Sequence, residues 1–310
     1  MSLSPLPPDI ILLERGWLSS NNILLLGPEQ NALVDSGYGT HAGQTLALVQ
    51  AQLGERPLDT LVNTHLHSDH CGGNATLQTA YPALLTHIPP GLAWAVRGWD
   101  ETALSYAPTG QCCRRFTYQH LLRPGTSIRL GERDWDVHAA PGHDPNSVIL
   151  FQAERRILIS ADALWAKGFG VVFPEIEGVA AFTEVAQTLD LIESLRPEIV
   201  IPGHGTILLD VQDALVYARR RLDQFTADPE HHARYAAKVL LKFKLLDLQK
   251  ITRRELLGWA RATSYFQLLK TRHFASADFD AWIDELIQDL LRSGAAQPIA
   301  IFGEPGLLNQ

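Results

Sequence analysis

A short run of histidines with one aspartate constrains this chain more than any other feature. The run is HLHSDH at positions 65–70, and it follows apolar residues that predict a strand. Alternation along an extended chain places His65 and His67 on one side, and the turn that follows brings Asp69 and His70 to a second point nearby. Imidazole and carboxylate are ligands that Zn²⁺ and Fe²⁺ accept, so the run predicts a metal site.

Three further candidate ligands stand where later apolar strands end: His143, Asp162 and His204. A side chain in that position is held on a rigid scaffold and faces a cleft beyond the strand ends. With the first run they provide five histidines and two aspartates, enough ligands for two ions. We expect one ion on His65, His67 and His143, and the other on Asp69, His70 and His204, with Asp162 bridging the two.

Short apolar runs bounded by turn residues predict strands through the first two thirds of the chain. These strands are Ile10–Leu13, Ile23–Leu26, Ala32–Asp35, Thr60–Asn63, Leu84–Thr86, Trp135–Ala139, Val148–Phe151, Ile157–Ser160 and Ile199–Ile201. Apolar residues at helical spacing predict helices between them, around residues 46–53 and 182–192. This mixture is typical of an α+β fold in which sheets pack face to face with helices outside.

The pattern of predicted secondary structure changes after His204. Residues 210–291 read almost entirely as helix, and Pro298–Phe302 reads as a short strand. Helices followed by a small strand fit a winged-helix-like module, and a plain helical cap fits nearly as well. We therefore predict two domains, residues 1–209 carrying the catalytic site and residues 210–310 forming a helical C-terminal domain.

Composition limits the classes of function. The 310 residues carry a net charge of -8, which argues against a protein that mainly grips nucleic-acid phosphates. The chain has only three cysteines, so we predict a cytoplasmic protein without a disulfide framework. It also has no apolar run long enough to span a bilayer. We expect a small-molecule substrate and neither nucleic-acid nor membrane partners. The oligomeric state is left open, a homodimer included.

On these motifs, from about residue 10 to residue 205, the chain resembles the metallo-β-lactamase superfamily. The matching pieces are HLHSDH, His143, Asp162 and the PGHG around His204, in the family's order. The resemblance implies an αββα sandwich with two metal ions at one edge, usually zinc and in some members iron or manganese. It also implies that Asp35, in the segment ALVDSG, supports a metal ligand from behind by hydrogen bonding.

Asp162 narrows the choice among the branches of the family, because this bridging aspartate is a feature of its hydroxyacylglutathione hydrolases, lactonases and nucleases. The run after it resembles glyoxalase II, but Val171 stands where that branch has a basic residue. An apolar side chain cannot replace a charge-assisted hydrogen bond to glutathione, so we do not expect a true glyoxalase II. Trp165, Phe169 and Phe173 follow Asp162 directly and either line the substrate pocket or pack in the core.

The implied chemistry is hydrolysis. Two divalent ions roughly 3.5–4 Å apart supply a bridging hydroxide near neutral pH and polarise the scissile carbonyl. Asp69 is the expected catalytic residue, accepting a hydrogen bond from the nucleophile and later passing a proton to the leaving group. We expect a small ester, thioester or lactone as substrate. Alternatives are a metal-dependent ribonuclease or phosphodiesterase, a mononuclear-iron persulfide dioxygenase, and a metal-binding module without catalysis.

Overall fold

Two β-sheets form the centre of the first two thirds of the chain. The structure, a computed structural model, describes residues 5–310, and residues 1–4 of the predicted first domain lie outside this range. The first sheet has six strands in the order β1 to β6, antiparallel among β1–β3 and parallel from β3 onward. Its strands are β1 Ile10–Leu13, β2 Asn22–Leu25, β3 Ala32–Val34, β4 Thr60–Val62, β5 Leu85–Ile88 and β6 His120–Leu121.

The second sheet has five strands in the order β11-β10-β9-β8-β7. They are β7 Ser127–Leu130, β8 Arg133–Ala139, β9 Val148–Gln152, β10 Ile157–Ala161 and β11 Ile199–Pro202. β10 and β11 run parallel, and the other neighbouring strands run antiparallel.

Helices and a short 3₁₀ turn, Gly39–His41, connect the strands. The helices are α1 Ala42–Leu53, α2 Ser68–Cys71, α3 Asn74–Ala80, α4 Ala93–Gly98, α5 Tyr106–Thr109, α6 Phe173–Glu177, α7 Phe182–Leu195 and α8 Val211–Ala227. No helix within the described residues combines a bilayer-spanning length with sufficient apolarity.

Alternation along the strands explains how these layers stack. Ile23 and Val34 point inward and pack with Leu150 of the second sheet, forming a core between the two sheets. Their neighbours Leu24 and Leu33 point the other way and pack under helices α1 and α3. The outer face of the second sheet is covered by α7 and α8. The layers therefore run helix, sheet, sheet, helix, which confirms the expected sandwich.

The C-terminal region is mainly helical, as expected. It comprises α9 Pro229–Leu248, β12 Lys250–Thr252, α10 Arg253–Ala262, α11 Ser264–His273, α12 Phe279–Arg292, β13 Ala296–Ile301 and β14 Glu304–Asn309. The three strands form a small sheet in the order β12-β14-β13, so a hairpin follows the helices as in a winged-helix-like module. Its core is continuous with Val171 and Ile176 of the preceding region, so the C-terminal helices pack beside the loops that follow β10.

Candidate metal centre

The predicted ligands meet at one edge of the sandwich, because each follows the end of a strand. β4 ends shortly before His65, β10 ends directly before Asp162, and β11 ends shortly before His204. The register between β10 and β11 shifts just before Asp162, and Ala161 has a left-handed φ of 46°. Such an irregularity redirects the next side chain, here toward the other ligands.

Gly203 allows the β11 loop to approach this carboxylate closely. A Cβ at residue 203 would lie 2.2 Å from Asp162 Oδ1, much closer than a carbon atom and an oxygen atom tolerate. The glycine before His204 is therefore a steric requirement of the arrangement.

His65, His67 and His143 form the first cluster, with one donor atom from each lying within 4.8 Å of the others. His143 Nδ1 lies 2.6 Å from the Val171 carbonyl oxygen, which only accepts, so the proton is on Nδ1 and Nε2 carries a lone pair. That Nε2 lies 2.8 Å from His67 Nδ1. Among residues 5–310 the buried His65 Nε2 has no hydrogen-bond partner.

Asp69, His70, Asp162 and His204 form the second cluster, within the same 4.8 Å limit. His70 Nδ1 donates to Asp35 Oδ2 at 2.8 Å, which leaves the Nε2 lone pair facing Asp162 Oδ1 at 3.3 Å. His204 Nε2 lies 3.2 Å from Asp69 Oδ2. A lone pair directed at a carboxylate is unfavourable unless a proton or a cation lies between them.

The Asp162 carboxylate joins the clusters. Its Oδ2 lies 3.4 Å from His143 Nε2 of the first cluster, while its Oδ1 faces His70 of the second. One carboxylate thus presents a different oxygen to each group of imidazoles. This is the placement that a carboxylate shared between two ions needs.

The imidazoles of the first cluster are neutral, and the carboxylates around the second cluster attract positive charge. Burial lowers the pKa of His67 and of His143 to about 4, so both imidazoles are neutral and able to bind a metal at pH 7. Burial opposes protonation of His70 as well, but the carboxylates Asp162, Asp35 and Asp69 outweigh it and raise the pKa of His70 well above its usual value. The second cluster therefore attracts positive charge. Together with the unpartnered Nε2 of His65 in the first cluster, this set of imidazoles and carboxylates fits two divalent ions.

Asp35 supports His70 from behind, as the resemblance implied. Its carboxylate is almost fully buried and also accepts hydrogen bonds from the Thr64 backbone N–H at 2.9 Å and from Thr64 Oγ1 at 2.8 Å. Asp35 has a left-handed φ of 60°, a conformation that Asp and Asn tolerate better than most residues. Its contacts fix both the orientation and the tautomer of the His70 ring.

A partly open cavity lies over the clusters. Trp165 and Phe173 line it, in agreement with the pocket interpretation. Phe169 does not line it and follows the core alternative instead: it is buried and packs edge-on against Phe225 of α8. The direction of that side chain is set by the loop after β10, which sequence spacing does not reveal.

Sequence reasoning missed most of the cavity wall. Trp17 stacks on His204 with ring centroids 5.5 Å apart, and α9 contributes Tyr235, Val239 and Phe243. The α9 residues recur every four positions, a signal of a second apolar face on that helix. Nothing in the sequence around Trp17 indicated its position.

The profile of the family described as "Metallo-beta-lactamase superfamily" matches residues 15–204. The chain belongs to the metallo-beta-lactamase superfamily. The matched range contains all seven predicted ligands, and the C-terminal helices α9–α12 lie beyond it.

Several relatives share this domain. A hydroxyacylglutathione hydrolase of Acaryochloris marina is 31% identical over 209 residues, covering 64% of this chain and 69% of that protein. The acyl-coenzyme A thioesterase MBLAC2 of Homo sapiens is 27% identical over 213 residues, covering 62% and 76%. A type A flavoprotein of Rhodobacter capsulatus is 27% identical over 231 residues, covering 68% of this chain, which spans only about half (50%) of that relative's length.

Solved structures share the fold. A metallo-beta-lactamase family protein of Thermus thermophilus superposes with a TM-score of 0.56 at 22% identity, covering 98% of this chain and 99% of that one. The protein TTHA1623, crystallised in a di-iron-bound form, gives a TM-score of 0.52 at 26% identity and covers 68% and 97%.

Proposed function

We propose that this chain is a hydrolase that binds two divalent ions and cleaves a thioester or ester bond. One observation carries the proposal: the Asp162 carboxylate directs one oxygen toward each of two adjacent ligand clusters. When bound there, two ions supply hydroxide near neutral pH and polarise the scissile carbonyl. The names of the relatives, a hydroxyacylglutathione hydrolase and an acyl-coenzyme A thioesterase, support hydrolysis, and the second supports a thioester.

The chain's own residues divide the remaining work. His65, His67 and His143 would hold one ion, and Asp69, His70 and His204 would hold the other. Asp69 also lines the cavity, so its carboxylate is placed to accept a proton from the attacking water and return it to the leaving group. Trp17 and Trp165 pack on the His204 ring and cover that side of it.

Val171 is the reason why we do not propose a glutathione-specific enzyme. Val171 lines the cavity and is almost fully buried, so no cation is available at this position to bind a glutathione carboxylate. Lys167, four residues earlier, is exposed and is not part of the cavity lining. We therefore propose an acyl substrate whose thiol or alcohol part is not glutathione.

We propose zinc as the native metal and iron as the alternative. Imidazole with carboxylate suits both ions, and the di-iron form of the solved relative supports iron. Protein grown in medium containing both metals, and analysed for each element, distinguishes them.

The test is hydrolysis of a panel of thioesters, esters and lactones by the metal-loaded protein. We expect activity on at least one thioester or ester, and an Asp162→Asn variant with kcat/KM lowered at least 100-fold together with its metal content. Asp136→Asn, at an exposed strand position away from the centre, is the matched control and should behave as wild type. Full activity of a metal-depleted sample would refute the proposal.

A further inference from the structure

The cavity over the metal ligands continues into a second, more open groove. The two spaces share part of their walls: Trp17, Tyr235, Val239 and Phe243. The groove extends farther along α9 and α12, adding Leu246 and Leu290. A molecule held at the ligand clusters therefore has a direct path along α9, and we call this path the α9 groove.

Helix α9 is apolar on two adjoining faces. One face is buried in the C-terminal core: Ala233, Ala236, Ala237, Leu240, Leu241 and Leu245. The other face lines the α9 groove with Tyr235, Val239, Phe243 and Leu246, all only half-buried. Trp17 opposite them is 57% exposed. A contiguous exposed apolar surface next to a catalytic site is typical of a binding groove.

The two lysines at the rim of the groove are already engaged. Lys238 Nζ lies 3.7 Å from Asp289 Oδ2. Lys242 Nζ donates to the carbonyl oxygen of Ala295 at 2.6 Å and also to Asn309 and Gln310. Because both lysines are engaged in contacts within the C-terminal module, the groove favours an apolar ligand over an anionic one.

We propose that the α9 groove binds the extended hydrocarbon chain of an acyl substrate, with its scissile carbonyl at the ligand clusters. This inference rests on the proposed function, since the chain must belong to the molecule that is hydrolysed. Val239 and Leu246 are seven residues apart, about 10 Å along the helix, so this stretch alone accommodates about eight extended carbons, and the carbons between the carbonyl and Val239 add to that number.

The test uses N-acetylcysteamine thioesters that differ only in acyl length, from two to twelve carbons. Water adds to the thioester carbonyl, the C–S bond breaks, and the carboxylate and the free thiol are released; the thiol is then measured. We expect kcat/KM to rise about two- to fourfold for each added methylene that the groove buries, and to level off once the chain extends beyond Leu246. Val239→Phe should fill the groove and shift this plateau to a shorter chain.

Leu246→Gln, at the far end of the groove, should lower the dodecanoyl-to-acetyl ratio of kcat/KM about tenfold. Leu248→Gln lies on the same helix, outside the groove lining and 45% exposed, and should keep the wild-type ratio. A non-cleavable ketone analogue of each thioester, with a methylene between carbonyl and sulfur, provides the dissociation constant by calorimetry without turnover. We expect the same chain-length order in binding.

The outcomes are separable. Hydrolysis whose rate does not depend on acyl length keeps the proposed function and overturns the groove. If no substrate is hydrolysed, the proposed function fails, and the ketone series decides the groove: affinity independent of chain length overturns it. A wild-type dimer that Leu246→Gln converts to a monomer, without any chain-length effect, would assign the groove to a second copy and also overturn the inference.

Discussion

Replacing Asp35 by Asn tests the support behind the second ligand cluster. The substitution keeps the size of the side chain and suits the left-handed backbone of residue 35. The amide oxygen of Asn can still accept a hydrogen bond from the Thr64 N–H, but its NH₂ group faces His70 Nδ1. In the wild-type protein that nitrogen donates a hydrogen bond to Asp35 at 2.8 Å. His70 must give up that proton and carry it on Nε2, the atom needed for metal binding.

Losing such a contact typically costs 10–100-fold in metal affinity, or about 1.4–2.7 kcal/mol. We expect the larger loss for the ion of the second cluster, because Asp35 contacts His70 directly, whereas it reaches His65 only through Thr64 Oγ1, which lies 3.2 Å from His65 Nδ1. Competition titration with a chromogenic chelator resolves the two affinities.

Asp59→Asn is the control, since Asp59 Oδ2 also accepts a backbone hydrogen bond, from Asn31 at 2.8 Å, at the other end of β4. It should leave both metal affinities unchanged. A folded Asp35→Asn protein that binds both ions as tightly as wild type would refute the assigned role of Asp35.

Three further predictions address the site, the core and the surface. Gly203→Ala should lower the number of bound ions per chain, because its Cβ would lie 2.2 Å from the bridging carboxylate. Leu286→Ala, fully buried in α12, should lower the free energy of unfolding by about 2–5 kcal/mol in urea denaturation, whereas the exposed Gln288→Ala should have little effect. Burial disfavours the Asp9 carboxylate, but the Arg133 hydrogen bonds outweigh it and lower the pKa of Asp9 below 3.8. Arg133→Gln should therefore cost about 1–2 kcal/mol at pH 7, and this difference should vanish as the pH falls through the lowered pKa of Asp9.

The sandwich and the strand-end positions of the ligands could be predicted because both depend on local signals. Most predicted strands lie within one or two residues of the observed bounds. β6 and β7 were not predicted: β6 has two residues, and β7, Ser127–Leu130, is a mostly exposed edge strand without a clear apolar pattern. The division at residue 209 stays a prediction, and α8 just beyond it packs on α7 and the second sheet.

The cavity wall was less predictable than the ligands. Tyr235 and Val239 reach the site only through the packing of α9 against the loops after β10, a tertiary contact that no local pattern encodes. The residue before Phe169 is Gly168, whose φ of 107° is a backbone conformation that residue spacing does not reveal. Sequence spacing predicted which side chains would lie together at the centre, and the shape of the pocket required the assembled fold.

The number of metal ions per chain tests the central claim most directly. Protein purified without chelator, and the same protein reconstituted with zinc or iron, would be analysed by element-resolved mass spectrometry against its amino-acid content. We predict two ions per wild-type chain and fewer in His143→Ala, which removes one ligand of the first cluster. A single iron would favour the persulfide dioxygenase alternative, and no bound metal after reconstitution would contradict the account of this site.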